Sequence, residues 1–137
     1  MAIFKMELIV QETQLDVFGH VNNAKYLEIL EEVRWESIVQ NGFDLRHIQK
    51  SQTGPVILEC KLKFRRELTA RDRIVVTLEL VQYEGLVGVL RQQILKSDGE
   101  VSCEAEFKFG LFDLRARKLI PATPEWRKAL QMDHEGP

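Results

Sequence analysis

The chain has 137 residues, 45% of them hydrophobic and 29% charged, which is typical of one globular domain with a sizeable core. Its formal net charge of −2 provides no general attraction to nucleic acid or to an anionic membrane, so we expect neither as a partner. Lys5 and Glu7 interrupt the N-terminal apolar run, which is too short for a secretory signal or a membrane helix, so we expect a cytoplasmic location.

Two regular elements are predicted on either side of a polar segment. Residues 3–12 alternate loosely between apolar and polar side chains, which predicts a β-strand. Residues 23–40 have helical periodicity and predict one long amphipathic helix. Its apolar face comprises Tyr26, Ile29, Leu30, Val33 and Ser37, with Leu27 and Ile38 at the flank.

The polar segment, residues 13–26, lies directly before and across the start of this helix. Asn22 or Asn23 is a natural N-cap, because an asparagine side chain accepts from first-turn N–H groups. The remaining free N–H groups, together with the helix dipole, form a site for a developing oxyanion. Asp16 lies just upstream and is ionised at neutral pH, as a base or nucleophile must be. By local chemistry alone, such residues are more often plain turn and capping residues.

Residues 56–66 alternate most clearly of all the predicted strands. Further strands are predicted at 74–83, 86–96 and 101–111, with a turn at 97–99, and a short strand at 118–120. A small C-terminal helix follows, capped by Thr123 with Pro124 at its first position. In strand 56–66, one face comprises Val56, Leu58, Cys60, Leu62 and Phe64, and the other Glu59, Lys61, Lys63 and Arg65.

These elements predict an α+β fold in one domain spanning residues 1–137. One helix cannot cover both sides of an apolar sheet, so we expect a curved antiparallel sheet of five to six strands wrapped around the long helix. Any remaining apolar surface suggests a partner subunit. Cys60 and Cys103 both lie in alternating patterns and are interpreted as buried thiols. Two cysteines and three histidines without metal-ligand spacing predict no metal site.

The loop and helix start have the sequence DVFGHVNNAKYLE over residues 16–28, followed by LEEVRW over residues 30–35. This pattern resembles the hotdog-fold acyl-CoA thioesterases of the 4-hydroxybenzoyl-CoA thioesterase-like superfamily, and is most similar to their bacterial long-chain branch in fatty acid metabolism. The resemblance implies hydrolysis of acyl-CoA to a free acid and CoA without a cofactor. It also implies a homodimer or homotetramer with active sites at subunit interfaces.

The resemblance assigns the catalytic carboxylate to Asp16, as general base or as nucleophile. A backbone N–H at about Asn23 would polarise the thioester carbonyl. His20 matches a site histidine of plant acyl-carrier-protein thioesterases, but their nearby asparagine is Phe18 here, so His20 has either a direct role or a role in holding Asp16. Gly19, Val21, Asn22 and Tyr26 of the same segment are assigned to substrate binding.

Lys61, Lys63 and Arg65 share one strand face and form a candidate docking patch for the phosphates of CoA. The alternative is an exposed polar face, or an edge strand guarded by lysines. Rival functions are an acyl-carrier-protein thioesterase and a non-catalytic acyl-CoA-binding protein. A pure binder has no need of a carboxylate near an anionic substrate, so Asp16 argues against the latter.

Overall fold

The computed structural model describes residues 3–132. A six-stranded antiparallel sheet packs against one long helix, with two short helices beside them. No helix within the described residues is long and apolar enough to cross a membrane. The elements, in chain order, are β1 (Phe4–Ile9), α1 (Asn23–Gln40), α2 (Leu45–Ser51), β2 (Thr53–Phe64), β3 (Arg73–Glu84), β4 (Val87–Lys96), β5 (Val101–Asp113), β6 (Lys118–Ile120) and α3 (Pro124–Ala129).

The strand order is β1-β3-β4-β5-β2, with β6 paired to β5, and every pairing is antiparallel. Consequently β1 and β2 lie at opposite edges of the main sheet. The inner face and the long helix share one hydrophobic core that includes Leu30, Val33, Ile94 and Phe107. The predicted α+β arrangement of a sheet around a long helix is therefore confirmed.

Helix α1 has the predicted bounds and the predicted buried face. Tyr26, Ile29, Leu30, Val33 and Ser37 are all buried, and Ile38 joins them. Its flanking neighbour Leu27 is instead exposed. The predicted cap at Thr123 and the first-position Pro124 of α3 are likewise confirmed, since the Thr123 side chain accepts from the Trp126 N–H.

Helix α2 was not predicted. It begins after Asp44, whose carboxylate accepts a hydrogen bond from the His47 N–H at 2.9 Å. It ends at Ser51, and the next residue, Gln52, adopts the left-handed conformation with φ of 57°. A helix of one or two turns is too short for its periodicity to be recognised in the sequence. The N-cap residue Asp44 was the one signal that could have indicated it.

The prediction that Cys60 is a buried thiol is wrong. Cys60 is exposed whereas Cys103 is buried, as predicted. The reason is the position of β2 at the sheet edge, where its apolar side chains Leu58 and Phe64 also remain exposed. A β-bulge between Ile57 and Glu59 adds one residue to the strand, so that Ile57 rather than Leu58 lies opposite the inner-face Phe109.

Candidate active site

The segment carrying Asp16 is attached to the connection between β2 and β3. Val10 donates its N–H to the Asp72 carbonyl at 2.9 Å, and the Arg71 N–H donates to the Val10 carbonyl at 2.8 Å. Further along, the Val21 N–H donates to the Leu68 carbonyl at 2.9 Å. These backbone bonds at both ends of the segment fix its path across the sheet.

Asp16 lies in a tight turn closed by its own backbone and side chain. Its N–H donates to the His20 carbonyl at 2.7 Å. Its Oδ1 accepts from the N–H groups of Phe18 at 2.8 Å and His20 at 3.3 Å. Within residues 3–132, Oδ2 has no hydrogen-bond donor. One carboxylate oxygen therefore orients the group, while the other is available to a substrate or water.

Gly19 gives this turn its shape. Its φ of +80° lies in the left-handed region, where a residue with a Cβ is strained. Apart from Gly19 and its two chain neighbours, no heavy atom of residues 3–132 lies within 4 Å of the position that a Cβ would occupy. The backbone conformation, rather than crowding, is thus what requires glycine here.

The start of α1 leaves one amide free. The Asn22 side chain accepts from the Ala24 N–H at 2.9 Å, and the Asn22 carbonyl accepts from the Lys25 N–H at 2.9 Å. The Asn23 N–H has no acceptor in the described part of the chain. This amide is the first of an 18-residue helix, where the helix dipole favours negative charge.

Asp16 and the helix start line one open cavity of about 520 Å³. It brings together seven of the predicted site residues, and Gly19 lies in the adjoining turn. Sequence reasoning had not assigned the side chains of Phe64, Arg66 and Glu67 to this site. The lining residues are Asp16, His20, Val21, Asn22, Asn23, Tyr26, Phe64, Arg65, Arg66 and Glu67.

Tyr26 forms the apolar wall of this cavity. Its ring meets that of Phe64 edge-on, with 5.1 Å between centroids. Burial raises the pKa of the Tyr26 phenol, against the opposing influence of its hydrogen bonds with Ser102 and with the backbone of Leu68. The hydroxyl therefore keeps its proton at physiological pH.

His20 holds Asp16 through its backbone. Its N–H and carbonyl both bond to Asp16, whereas its imidazole makes no hydrogen bond to any residue between 3 and 132. The ring lines the cavity and is half-buried. Its imidazole therefore stays available to a bound molecule.

The predicted phosphate patch is divided between two places. Arg65 lines the Asp16 cavity and forms an ion pair with Glu104 at 3.2 Å. Lys61 and Lys63 instead line a separate concavity of about 380 Å³ on the outer face of the sheet, together with Arg91, Gln93, Glu104, Ala105 and Glu106. Arg66, which was not assigned to the site, adjoins Arg65 in the Asp16 cavity.

A smaller apolar cavity of about 90 Å³ lies between α1 and the other end of β2. Arg34 lies at this cavity, where it donates to the Gln92 side chain at 3.0 Å and its guanidinium lies 4.1 Å from the Phe107 ring centroid. Burial lowers the pKa of Arg34. The lining residues are Glu31, Arg34, Trp35, Ile38, Pro55, Ile57, Leu78, Leu90, Phe109, Trp126 and Leu130.

The Asp16 carboxylate and a helix N-terminal amide on one cavity are suited to attack on a carbonyl group. The carboxylate activates the attacking group, and the amide stabilises negative charge on the carbonyl oxygen. Among residues 3–132, no group of three or more histidine, cysteine, aspartate or glutamate side chains is placed to hold a metal ion.

Comparison with known proteins places these features in context. The family model of the thioesterase-like superfamily matches residues 10–130. The long-chain acyl-CoA thioesterase FadM of Escherichia coli K12 is 32% identical over 126 residues, covering 91% of this chain and 95% of the relative.

Two solved structures share the fold over most of their length. YbaW of Escherichia coli, described as a probable thioesterase, is 32% identical with a TM-score of 0.82, covering 93% of this chain and 97% of that one. The protein SAV2348 of Staphylococcus aureus, solved in complex with CoA, has a TM-score of 0.89 at 19% identity, covering 95% and 82% of the two chains.

Proposed function

The chain belongs to the thioesterase-like superfamily of hotdog-fold proteins, and on that premise we propose that it hydrolyses acyl-CoA thioesters to a free carboxylic acid and CoA. The observation that carries this proposal is that Asp16 and Asn23 line the same cavity. Within residues 3–132, the Oδ2 of Asp16 has no hydrogen-bond donor and the N–H of Asn23 has no acceptor. The similarity to FadM, a long-chain acyl-CoA thioesterase, supports acyl-CoA as the substrate class.

Hydrolysis needs one proton acceptor and one oxyanion donor. Asp16 removes a proton from a water molecule, whose oxygen attacks the carbonyl carbon of the thioester. The Asn23 N–H donates to the oxyanion of the resulting tetrahedral intermediate, at a helix end that favours negative charge. The carbon–sulfur bond then breaks, and the CoA thiolate takes up the proton that Asp16 had received.

A direct attack by Asp16 uses the same geometry. Its Oδ2 would bond to the acyl carbon, releasing CoA thiolate and leaving a mixed anhydride that water then cleaves. The two routes differ in the fate of the solvent oxygen, because water can enter the Asp16 carboxylate when the anhydride is hydrolysed at that carbon. Oxygen-18 found by mass spectrometry in the peptide containing Asp16, after a single turnover in oxygen-18 water, therefore identifies the direct attack.

The remaining cavity residues bind and orient the substrate. Val21 and Tyr26 provide apolar walls, and the Asn22 side chain holds the first turn in place. Arg65 and Arg66 are the cations on this cavity, so they are suited to a phosphate of CoA. Lys61 and Lys63 lie on the outer face next to Arg65 and would contact a more distant phosphate of the same molecule.

We further propose a homodimer formed along β2. This strand is 12 residues long, lies at a sheet edge and exposes apolar side chains, features that favour pairing with an identical strand. When two copies of one strand pair antiparallel about a two-fold axis, the numbers of any two facing residues add up to the same total. Outer-face residues of one strand then lie opposite outer-face residues of the other only if that total is even, which means that the axis passes through a residue. For axes through residue 60, 61 or 62, Glu59 faces Lys61, Lys63 or Arg65 of the partner subunit.

The deciding experiment replaces Asp16 by asparagine and follows release of CoA from acyl-CoA esters of graded length. We expect kcat to fall by at least about a thousandfold, because the base or nucleophile is lost. Asp44→Asn is the matched control, since Asp44 caps α2 outside the cavity. Wild-type protein without hydrolysis, or an Asp16→Asn variant with near wild-type turnover and an intact fold, would refute the proposal.

A further inference from the structure

Ser102 on β5 is a fully buried polar residue next to the Asp16 cavity. In a regular strand, successive side chains point to opposite faces, yet Ser102 and its neighbour Cys103 are both fully buried. The cause is a β-bulge. Consecutive residues of β4 face Val101 and Cys103, so Ser102 between them is an extra residue without a partner on that strand. The bulge therefore turns the Ser102 side chain inward, where it serves another part of the chain.

The carbonyl and the hydroxyl of Ser102 hold the turn that follows β2. The carbonyl accepts from the N–H groups of Arg65 at 2.8 Å and Arg66 at 3.2 Å. The hydroxyl donates to the Arg66 carbonyl at 2.7 Å. Arg65 and Arg66 are the cations on the Asp16 cavity, and their side chains are exposed. Three hydrogen bonds to one buried residue therefore fix where these two side chains leave the backbone.

The same hydroxyl connects this turn to the start of α1. The buried Tyr26 forms hydrogen bonds through its hydroxyl with the Ser102 side chain and with the backbone of Leu68. Because the Ser102 proton goes to a carbonyl, the Tyr26 hydroxyl is the donor to Ser102 Oγ. Tyr26 lies in the first turn of α1, three residues after Asn23. One chain of hydrogen bonds thus runs from the turn that carries the cations to the turn that carries the Asn23 amide.

We propose that Ser102 is a positioning residue that fixes the Arg65–Arg66 turn relative to the Asn23 amide, so that binding of the CoA phosphates places the thioester carbonyl at that amide. The proposal rests on the hydrolase function proposed above. The substrate is held at two points, its phosphates and its carbonyl. A wrong spacing between the two protein groups lowers the rate even when both groups are present. Ser102 is fully buried and acts through Arg66 and Tyr26 rather than by contact with the substrate.

The test compares two thioesters of the same acyl group, one of CoA and one of pantetheine, which lacks the phosphates and the nucleotide. In Ser102→Ala we expect kcat/KM for the CoA ester to fall about tenfold, because the two hydrogen bonds of the hydroxyl are lost. The pantetheine ester does not use the cations, so its kcat/KM should stay within about twofold of wild type. Ser37→Ala removes another buried hydroxyl, near the other end of α1, and is the control that should preserve the ratio between the two esters.

Tyr26→Phe tests the link to the helix while leaving the bond from Ser102 to Arg66 in place. It should lower the same ratio of kcat/KM values. The double variant Ser102→Ala/Tyr26→Phe should lower the ratio no further than Ser102→Ala alone, because both changes break one chain of hydrogen bonds. Losses that add in the double variant would show that the two residues act separately and would overturn the proposal. If Ser102→Ala does not fold, Tyr26→Phe alone provides the comparison of the two esters.

The outcomes separate this proposal from the function on which it rests. Wild-type protein that hydrolyses neither ester would refute the hydrolase function and, with it, this role of Ser102. Hydrolysis of both esters, with Ser102→Ala lowering kcat/KM equally for the two or for neither, would refute the positioning role and leave the function intact. Urea denaturation measures the stability of each variant, since a loss of folded protein alone lowers the rates of both esters alike.

Discussion

Single residues set the geometry of the Asp16 turn. Asp16 was assigned to the site from the string around it. The cap of α1 was predicted at Asn22 or Asn23, and the structure places it at Asn22, so that Asn23 carries the first amide of the helix. The exposure of Phe18 at the tip of the turn was not predicted, because exposure depends on what the folded chain places above a loop. Alternation predicted that Lys61 and Lys63 share one face of β2. It could not predict that they lie outside the Asp16 cavity, because alternation does not show which end of the strand lies beside the loop.

Gly19→Ala tests the left-handed conformation of the turn. We expect a loss of about 1 kcal/mol in the free energy of unfolding, because the Cβ disfavours a φ of +80°. Gly42, with φ of +98° and equally open space around its Cβ position, is the matched control. Urea denaturation should show similar losses for both variants, while thioester hydrolysis should fall only for Gly19→Ala. Equal activity in both variants would show that the turn shape does not matter for catalysis.

At the scale of elements, the residues that begin helix α1 also belong to the candidate active site. Helix α1 was predicted with correct bounds because 18 residues carry a clear period and an asparagine cap. Strand β2 was recognised, and an edge position guarded by lysines was one of the alternatives considered for it. Its bulge was not predicted, since a bulge depends on the partner strand. Helix α2, with seven residues, lay below what periodicity can detect.

Asn22→Ala tests the cap of α1. We expect the free energy of unfolding to fall by about 1 kcal/mol, since the Ala24 N–H loses its acceptor. Hydrolysis should decline through kcat, because the first turn that presents the Asn23 amide is loosened. The variant Asp44→Ala removes the α2 cap and should lower stability without lowering kcat. A change confined to KM would contradict the assigned role of the helix start.

Glu59→Lys tests the β2 dimer. Reversing this charge places like charges opposite each other twice in the dimer, so the dissociation constant should rise about tenfold. The control Glu79→Lys makes the same change on β3, where Glu79 pairs with Arg91 at 3.7 Å. Sedimentation equilibrium measures both. In the Glu59→Lys protein, a second substitution that restores the dissociation constant identifies the residue that faces position 59; the candidates are Lys61→Glu, Lys63→Glu and Arg65→Glu. An unchanged dissociation constant in Glu59→Lys would exclude the β2 dimer.

At the scale of the whole molecule, the hydrophobic core makes stability depend on alkaline pH. Burial raises the pKa of the Cys103 thiol from 9.0 to about 11. Between these values the unfolded thiol ionises while the folded thiol keeps its proton, so stability falls as pH rises. The expected loss reaches at most about 1.4 kcal/mol per pH unit.

Urea denaturation at pH 8, 9 and 10 checks this dependence, with Cys103→Ala as the comparison. The variant should lose the decline between pH 9 and 10. Tyr26 and Tyr83, whose pKa values are also raised by burial from 10.0, contribute mainly above that window. The same slope in wild type and variant would assign the decline to other groups.

The attachment of the Asp16 segment to the β2–β3 connection has a consequence for protein design. Hydrogen bonds from Val10, Arg71 and Val21 tie the segment to residues 68–72, in addition to the bonds between Asn22 and the first turn of the helix. A transplant of residues 10–26 alone into another scaffold would therefore carry the reactive groups without their support. The smallest transferable unit also includes residues 68–72, two stretches of chain that are far apart in sequence but would have to be moved together.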